Sequence, residues 1–190
     1  QDYGMVFQHS GLFDWRRVLA NIELPLELRG WSKADRSARS AEMLELVRFE
    51  DFGGHYPRQL SGGMKQRESI ARALSFQPKL LLMDEPFGAL DALTRVQMQE
   101  WLLDLWDSLR KTIVLITHDM DEAILLSDRV YVLTQRPGRV TLVLDVDLPR
   151  PRSYEQVTEP QFARLKSRLL EPLREKRLDE AQSLTAKEGL

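Results

Sequence analysis

The chain has no cysteine, which excludes a disulfide framework and any thiolate metal site. Long apolar runs are missing too. Leu80 to Met83 and Ile113 to Ile116 are far shorter than the roughly 20 residues that cross a bilayer, and no signal peptide opens the sequence. Nor does one sign of charge dominate: 27 lysines and arginines face 29 aspartates and glutamates, for a net charge of -2. That balance argues against a nucleic-acid binder working by bulk electrostatics. An initial methionine is also lacking, and Gly4-Met5-Val6-Phe7-Gln8 already has the pattern of the end of a buried strand, so we expect sequence upstream of Gln1. What remains, 190 residues at 43% hydrophobic, is enough for a full core in one soluble, cytoplasmic domain with or without a sub-domain.

From His9 to Trp15 the composition is that of a loop, yet it carries Leu12, Phe13 and Trp15. These aromatics either tuck into the local core or form an apolar patch for a partner. Val18 to Arg29 is expected to form a helix interrupted at Pro25. Ser32, with Asp35 three residues on, is an N-cap for an amphipathic helix that ends near Phe49. Gly53, Gly54 and Pro57 punctuate the loop that follows, and His55 within it is expected at the surface with no role.

Ser61-Gly62-Gly63 then opens a helix-period segment that Pro78 stops. A hydroxyl and several unpaired backbone N–H groups at such a start favour an anion, so this is a phosphate-facing surface. Lys79 to Met83 reads as a fully buried parallel strand, and Asp91 caps a helix to about Arg110 with Leu93, Trp101 and Trp106 on its apolar face. A β-branched strand over 112–117 ends at His118-Asp119; a short helix over Met120 to Leu126 and two strands around Pro137-Gly138 follow. Strand and helix alternate through this half, whereas Leu12 to Ser75 is helix-rich, so an α/β core with a helical insertion is expected. We divide the chain into 1–8 (end of a core strand and Gln8), 9–77 (loop and helical sub-domain), 78–148 (α/β core) and 149–190 (linker and helical tail). Between Arg150 and Arg177 eight basic residues face four acidic ones; this tail is read as a solvated helical face or as an approach to an anionic membrane. Pro172 is expected to kink or end its helix, and Thr185 to Leu190 to fray.

A nucleotide triphosphate site needs a phosphate cradle, a Mg²⁺ ligand, a group that orients the attacking water and charge stabilisation at the γ-phosphate. Asp84 at a strand end suits Mg²⁺, which takes few protein oxygens and keeps much of its water. Glu85, next in sequence and expected on the other side of the strand, suits polarisation of water. Gln8 and His118 each follow an apolar strand-like run and reach the same sheet edge. Any one of these has a bland reading, an acidic turn or a core histidine. Their conjunction with the Gly-Gly helix start overturns it.

Together these residues resemble the ATPase subunits of ATP-binding cassette (ABC) transporters, over nearly the whole chain to about Arg152. The resemblance implies the P-loop NTPase (RecA-like) fold with ATP and Mg²⁺ as cofactors. It makes Gln8 the Q-loop glutamine and a second metal contact, Leu60 to Gln66 the signature motif and Asp84 the end of the Walker B strand. Glu85 becomes the catalytic glutamate, Ala89-Leu90-Asp91 the D-loop and His118 the switch histidine. Ser61, Gly62, Gly63, Gln66 and Asp91 are then nucleotide-binding. Because the family's signature faces nucleotide held by the other subunit, it implies a head-to-tail dimer, and a monomer that is catalytically incomplete.

The implied partners are a second ATPase subunit, transmembrane permease subunits met through the Gln8 to Trp15 loop and, indirectly, a periplasmic or lipoprotein solute-binding protein. Nucleic acid is not among them, and the implied location is the cytoplasmic face of the inner membrane. Gly4 to Gln8, Leu12-Phe13-Asp14-Trp15 and Arg136-Pro137-Gly138-Arg139 look most like importers of the nitrate, sulfonate and taurine type. The sequence departs from the family in one respect: it holds no Gly-x-x-x-x-Gly-Lys-Ser/Thr stretch, the Walker A loop that cradles phosphates. We therefore expect a chain truncated at its start that by itself binds ATP poorly and hydrolyses it negligibly. The alternative is a non-catalytic subunit that has lost its loop.

Overall fold

The computed structural model describes residues 3–172, in two compact units that divide between Thr117 and His118. In the first unit, strands β1 (Tyr3–Val6), β2 (Leu80–Asp84) and β3 (Thr112–Ile116) form a parallel sheet with β2 at its centre. Val6 pairs with Met83, and Asp84 pairs with Ile116. Strand β2 was expected to be fully buried and β1 to be the end of a buried strand, but burial alternates along both, as it does along β3. Gly4, Val6, Leu81 and Met83 are buried, whereas Val114 and Ile116 on β3 are 47% and 58% exposed. The apolar run in sequence therefore marks a strand without telling how many of its faces are covered. On the packed face, helix α3 (Gly62–Leu74) runs so close to β1 that a Cβ on Gly4 would stand 2.7 Å from the Ala73 carbonyl oxygen. Only glycine allows that approach.

Helix α1 (Val18–Glu27) continues through Pro25 instead of breaking there. Pro25 falls in the last turn and removes one hydrogen bond, while Val18, Ile22 and Leu26 are fully buried against neighbouring helices. Burial of such side chains is worth about 1.5–3 kcal/mol each, enough to offset the lost bond. Helix α2 (Lys33–Leu46) starts as expected: the Ser32 hydroxyl accepts from Asp35 N–H at 3.2 Å and donates to the Asp35 carboxylate at 2.6 Å. Helix α4 (Ala92–Leu109) buries Met98, Trp101, Leu102 and Leu105, but Leu93, read as part of that face, is 69% exposed. Trp106 packs and also donates its indole N–H to the Lys111 carbonyl at 3.0 Å.

The second unit holds helix α5 (Met120–Leu126) and the antiparallel pair β4 (Arg129–Leu133) and β5 (Val140–Asp145), in register from Arg129 opposite Asp145. A 3₁₀ turn (Tyr154–Thr158) leads to helix α6 over residues 160–172, whose Phe162, Leu165 and Leu169 are buried on helical spacing. The helix includes Pro172; its continuation and the expected fraying after Thr185 lie outside the described residues. One member of the basic tail is not solvated. Arg152 is buried and donates to the carbonyls of Ile124, Leu125, Ser127, Val146 and Leu148, joining the end of α5 to the exit of β5. Burial pushes its guanidinium below the usual range, and Arg150 adds to the effect while Asp128 opposes it. Carbonyl dipoles replace the hydration it loses.

Candidate functional site

Residues drawn from three stretches of the first unit meet around Gly88. Asp84 closes β2, half-exposed, opposite Ile116. Glu85 follows at φ 44°, a left-handed conformation unusual for a residue with a Cβ, and is held there by its N–H on the Ile116 carbonyl at 2.8 Å and its carbonyl on Gly88 N–H at 3.1 Å. Strand alternation therefore does not aim Glu85; the turn does. A Cβ on Gly88 would stand 3.0 Å from Gln8 Nε2 and 3.4 Å from Glu85 Oε2. An amide from the end of β1 and a carboxylate from the end of β2 thus converge on one bare patch of backbone.

A second group lies at the start of α3. The Ser61 hydroxyl accepts from Met64 N–H at 3.3 Å, while the first N–H groups of the helix have no partner inside it. Gly62 is exposed, and a Cβ there would be 3.1 Å from Leu90 Cδ2. Gly63 is buried, with its Cβ position 2.8 Å from Thr94 Cγ2. Its small size thus serves helix packing as well as any anion. Beside it α4 begins with Asp91, exposed, accepting from Thr94 N–H at 3.0 Å; the Thr94 hydroxyl and backbone hold its carboxyl below the ordinary range. Two capped helix starts stand side by side, and both favour negative charge.

Gln66 occupies a different place from the open surface of the helix start. It is buried and donates to the Phe7 carbonyl at 3.2 Å, fixing the backbone immediately before Gln8. His118 belongs to the second unit, exposed and next to Asp119, whose carboxylate caps α5 through the N–H groups of Asp121 (2.9 Å) and Glu122 (3.2 Å). The first unit thus unites Gln8 with Glu85, and Gly62 and Gly63 with the start of α4.

Four residues of this region were not singled out by sequence. Gly88 looks like any turn glycine. Asn21 carries a signal in retrospect, a polar residue on the Val18–Ile22 apolar face, and its buried side chain binds the backbone of the loop before it. Arg72 reads as a solvated helix residue but donates to Ser10 and Gly11. Glu68 is fully buried with no hydrogen-bond partner on either carboxylate oxygen. Burial pushes its carboxyl up to about 8 despite the opposing charges of Arg72 and Lys65.

Comparison with known proteins gives these positions a context. The sequence profile described as ABC transporter matches residues 1–88. The nitrate import ATP-binding protein of Synechocystis sp. is 44% identical over 191 residues, covering 97% of this chain and 72% of that protein. The taurine import ATP-binding protein of Rhizobium johnstonii is 46% identical over 175 residues, covering 88% of this chain and 66% of its own. Among solved structures, an ATP-binding cassette in a dimeric post-hydrolysis state bound to ADP and Pi is similar at a TM-score of 0.64. It is 35% identical, and the likeness covers 78% of this chain and 65% of that one. The chain therefore spans about two thirds of the length of the proteins it matches.

Proposed function

The chain belongs to the ATP-binding subunits of ABC transporters, and from that premise we propose that it serves ATP hydrolysis driving import of a small solute of the nitrate, sulfonate or taurine kind. The observation that carries this reading is the convergence of Gln8 Nε2 and Glu85 Oε2 on Gly88, one turn beyond Asp84. A carboxylate and an amide at one sheet edge are the pair needed to hold and polarise an attacking water.

Among the described residues no group of three or more histidine, cysteine or acidic side chains is built to hold a metal ion. Mg²⁺ draws most of its ligands from water and phosphate and needs only one or two side-chain oxygens, which the half-exposed Asp84 carboxylate at the end of β2 can supply. Asp84 and the Gln8 amide oxygen would hold it, and when bound it would neutralise charge developing on the phosphates. Glu85 orients and accepts a proton from water, its strained φ keeping the carboxylate off the strand and toward Gln8. His118 keeps the role that membership of the family implies for it. Ser61, Gly62 and Gly63 offer their helix start to the nucleotide of a second copy of the chain, with Asp91 alongside and Gln66 bracing the backbone at Phe7.

In this reading the exposed Trp15, its ring tilted against that of Phe13 with centroids 5.0 Å apart, meets the membrane subunits. The site therefore works at the cytoplasmic membrane face. No helix among the described residues is long and apolar enough to cross a membrane; in this reading the passage for solute belongs to those partners, with a solute-binding protein upstream of them. The test is Glu85→Gln in the protein as produced from its gene. ATP binding should persist while turnover is abolished; turnover at the unsubstituted rate refutes the assignment.

A further inference from the structure

The segment between Gln8 and α1 is held to its helical neighbours at both ends by the side chains of Arg72 and Asn21. Arg72 on α3 donates to the Gly11 carbonyl at 2.7 Å and to the Ser10 carbonyl at 2.9 Å. Gly11, at φ +56°, turns the chain so that two successive carbonyls meet one guanidinium. At the far end, Asn21 accepts from Phe13 N–H at 2.9 Å, and its amide nitrogen lies 3.2 Å from the Phe13 carbonyl and 3.1 Å from that of Arg16. Between these anchors the loop displays Trp15, 75% exposed.

We propose that Arg72 is a positioning residue that makes the 9–16 loop and helix α3 one rigid body, so that whatever moves the helix start at Ser61 moves the Trp15 surface with it. The inference rests on the transport reading above and adds to it the part that carries motion between the nucleotide and the membrane subunits. The geometry favours this over simple stabilisation. A forked, charge-assisted pair of bonds fixes direction as well as distance, and a lysine ammonium, a point donor, reproduces only part of it. Burial lowers the Arg72 guanidinium, and Glu68, one helical turn earlier and buried, opposes that shift to the extent that it is ionised. Without Arg72, the two carbonyls lose their link to α3, and the remaining side-chain ties of the loop run to α1, through Asn21 and Arg16, and, before Gln8, from Gln66 to Phe7.

The experiment uses the protein as produced from its gene, alone and assembled with its membrane subunits in proteoliposomes. For Arg72→Gln we expect faster amide hydrogen exchange confined to residues 9–16 and unchanged ATP hydrolysis by the subunit alone. Solute taken up per ATP hydrolysed should fall about tenfold, within the range seen for residues that link two sites. Arg72→Lys should recover part of the loss, and it carries the test if Arg72→Gln does not fold. Unchanged uptake per ATP, or hydrolysis and uptake falling together with thermal stability, overturns the proposal. Wild-type protein that shows no ATP-driven uptake overturns the transport reading itself, an outcome read before any variant is compared.

Discussion

Glu68→Gln should make this protein more stable, and by an amount that depends on pH in a defined way. In the folded chain the carboxyl is buried, neither oxygen has a hydrogen-bond partner, and its pKa rises from an ordinary 4.5 to about 8. The folded chain thus retains a proton that the unfolded chain releases above pH 4.5. Stability contributed by this group is complete below the unfolded value, falls as pH rises, and levels off once pH passes the folded value. Each unit of that interval is worth about 1.4 kcal/mol, so at pH 7 the cost of Glu68 lies between about 3 and 4 kcal/mol. Movement of Arg72 and Lys65 toward the ionised carboxylate lowers this, and we expect roughly 2–3 kcal/mol. Glutamine has the same shape and does not titrate. Urea unfolding of both proteins at pH 5, 7 and 8.5 should show curves close together at pH 5, a gap at pH 7 and the widest gap at pH 8.5. A gap that is constant with pH, or absent, would refute the account of Glu68 as a buried acid without partners.

Two further outcomes follow from the site and its frame. Gly88→Val puts a side chain where Gln8 Nε2 now lies 3.0 Å from the Cβ position. Turnover should fall about 10- to 100-fold through misplacement of Gln8, while the urea midpoint, at this exposed position, stays near that of the parent protein. Ser32→Ala removes the acceptor for Asp35 N–H and should lower unfolding stability by about 1 kcal/mol, with no effect on ATP turnover.

Much of the site was legible because its chemistry depends on local order in the chain. Ser61 and Asp91 announce themselves as caps, and each does accept the N–H three residues on, from Met64 and Thr94. Strand β2 and the acidic pair that ends it could be read from a short apolar run between prolines. The orientation of Glu85 could not. Alternation along a strand put it on the opposite side from Asp84, whereas the left-handed turn at φ 44° sets its direction, and no residue type signals that turn. Burial of charge was equally hidden. Arg72, Arg152 and Glu68 look like solvated residues in a one-dimensional reading, because a charged side chain is ordinarily at the surface and its backbone partners lie 61 and 62 positions away for Arg72 and up to 28 away for Arg152. Pro25 shows the opposite error: local propensity argued for a break, and the burial of Ile22 and Leu26 kept the helix intact.

The central claim is that the helix start at Ser61 and the carboxylate of Glu85 act on nucleotides in different copies of the chain, and mixing two inactive variants tests it directly. Ser61→Arg blocks the helix start, and Glu85→Gln disables the carboxylate. A dimer containing one of each has one site with both lesions and one with neither. An equimolar mixture, in which half the dimers are mixed and each has one working site of two, should therefore recover about a quarter of the parent ATPase rate. If the two residues serve the same nucleotide within one chain, every site in the mixture is damaged, and a rate no higher than that of either variant alone would contradict the account.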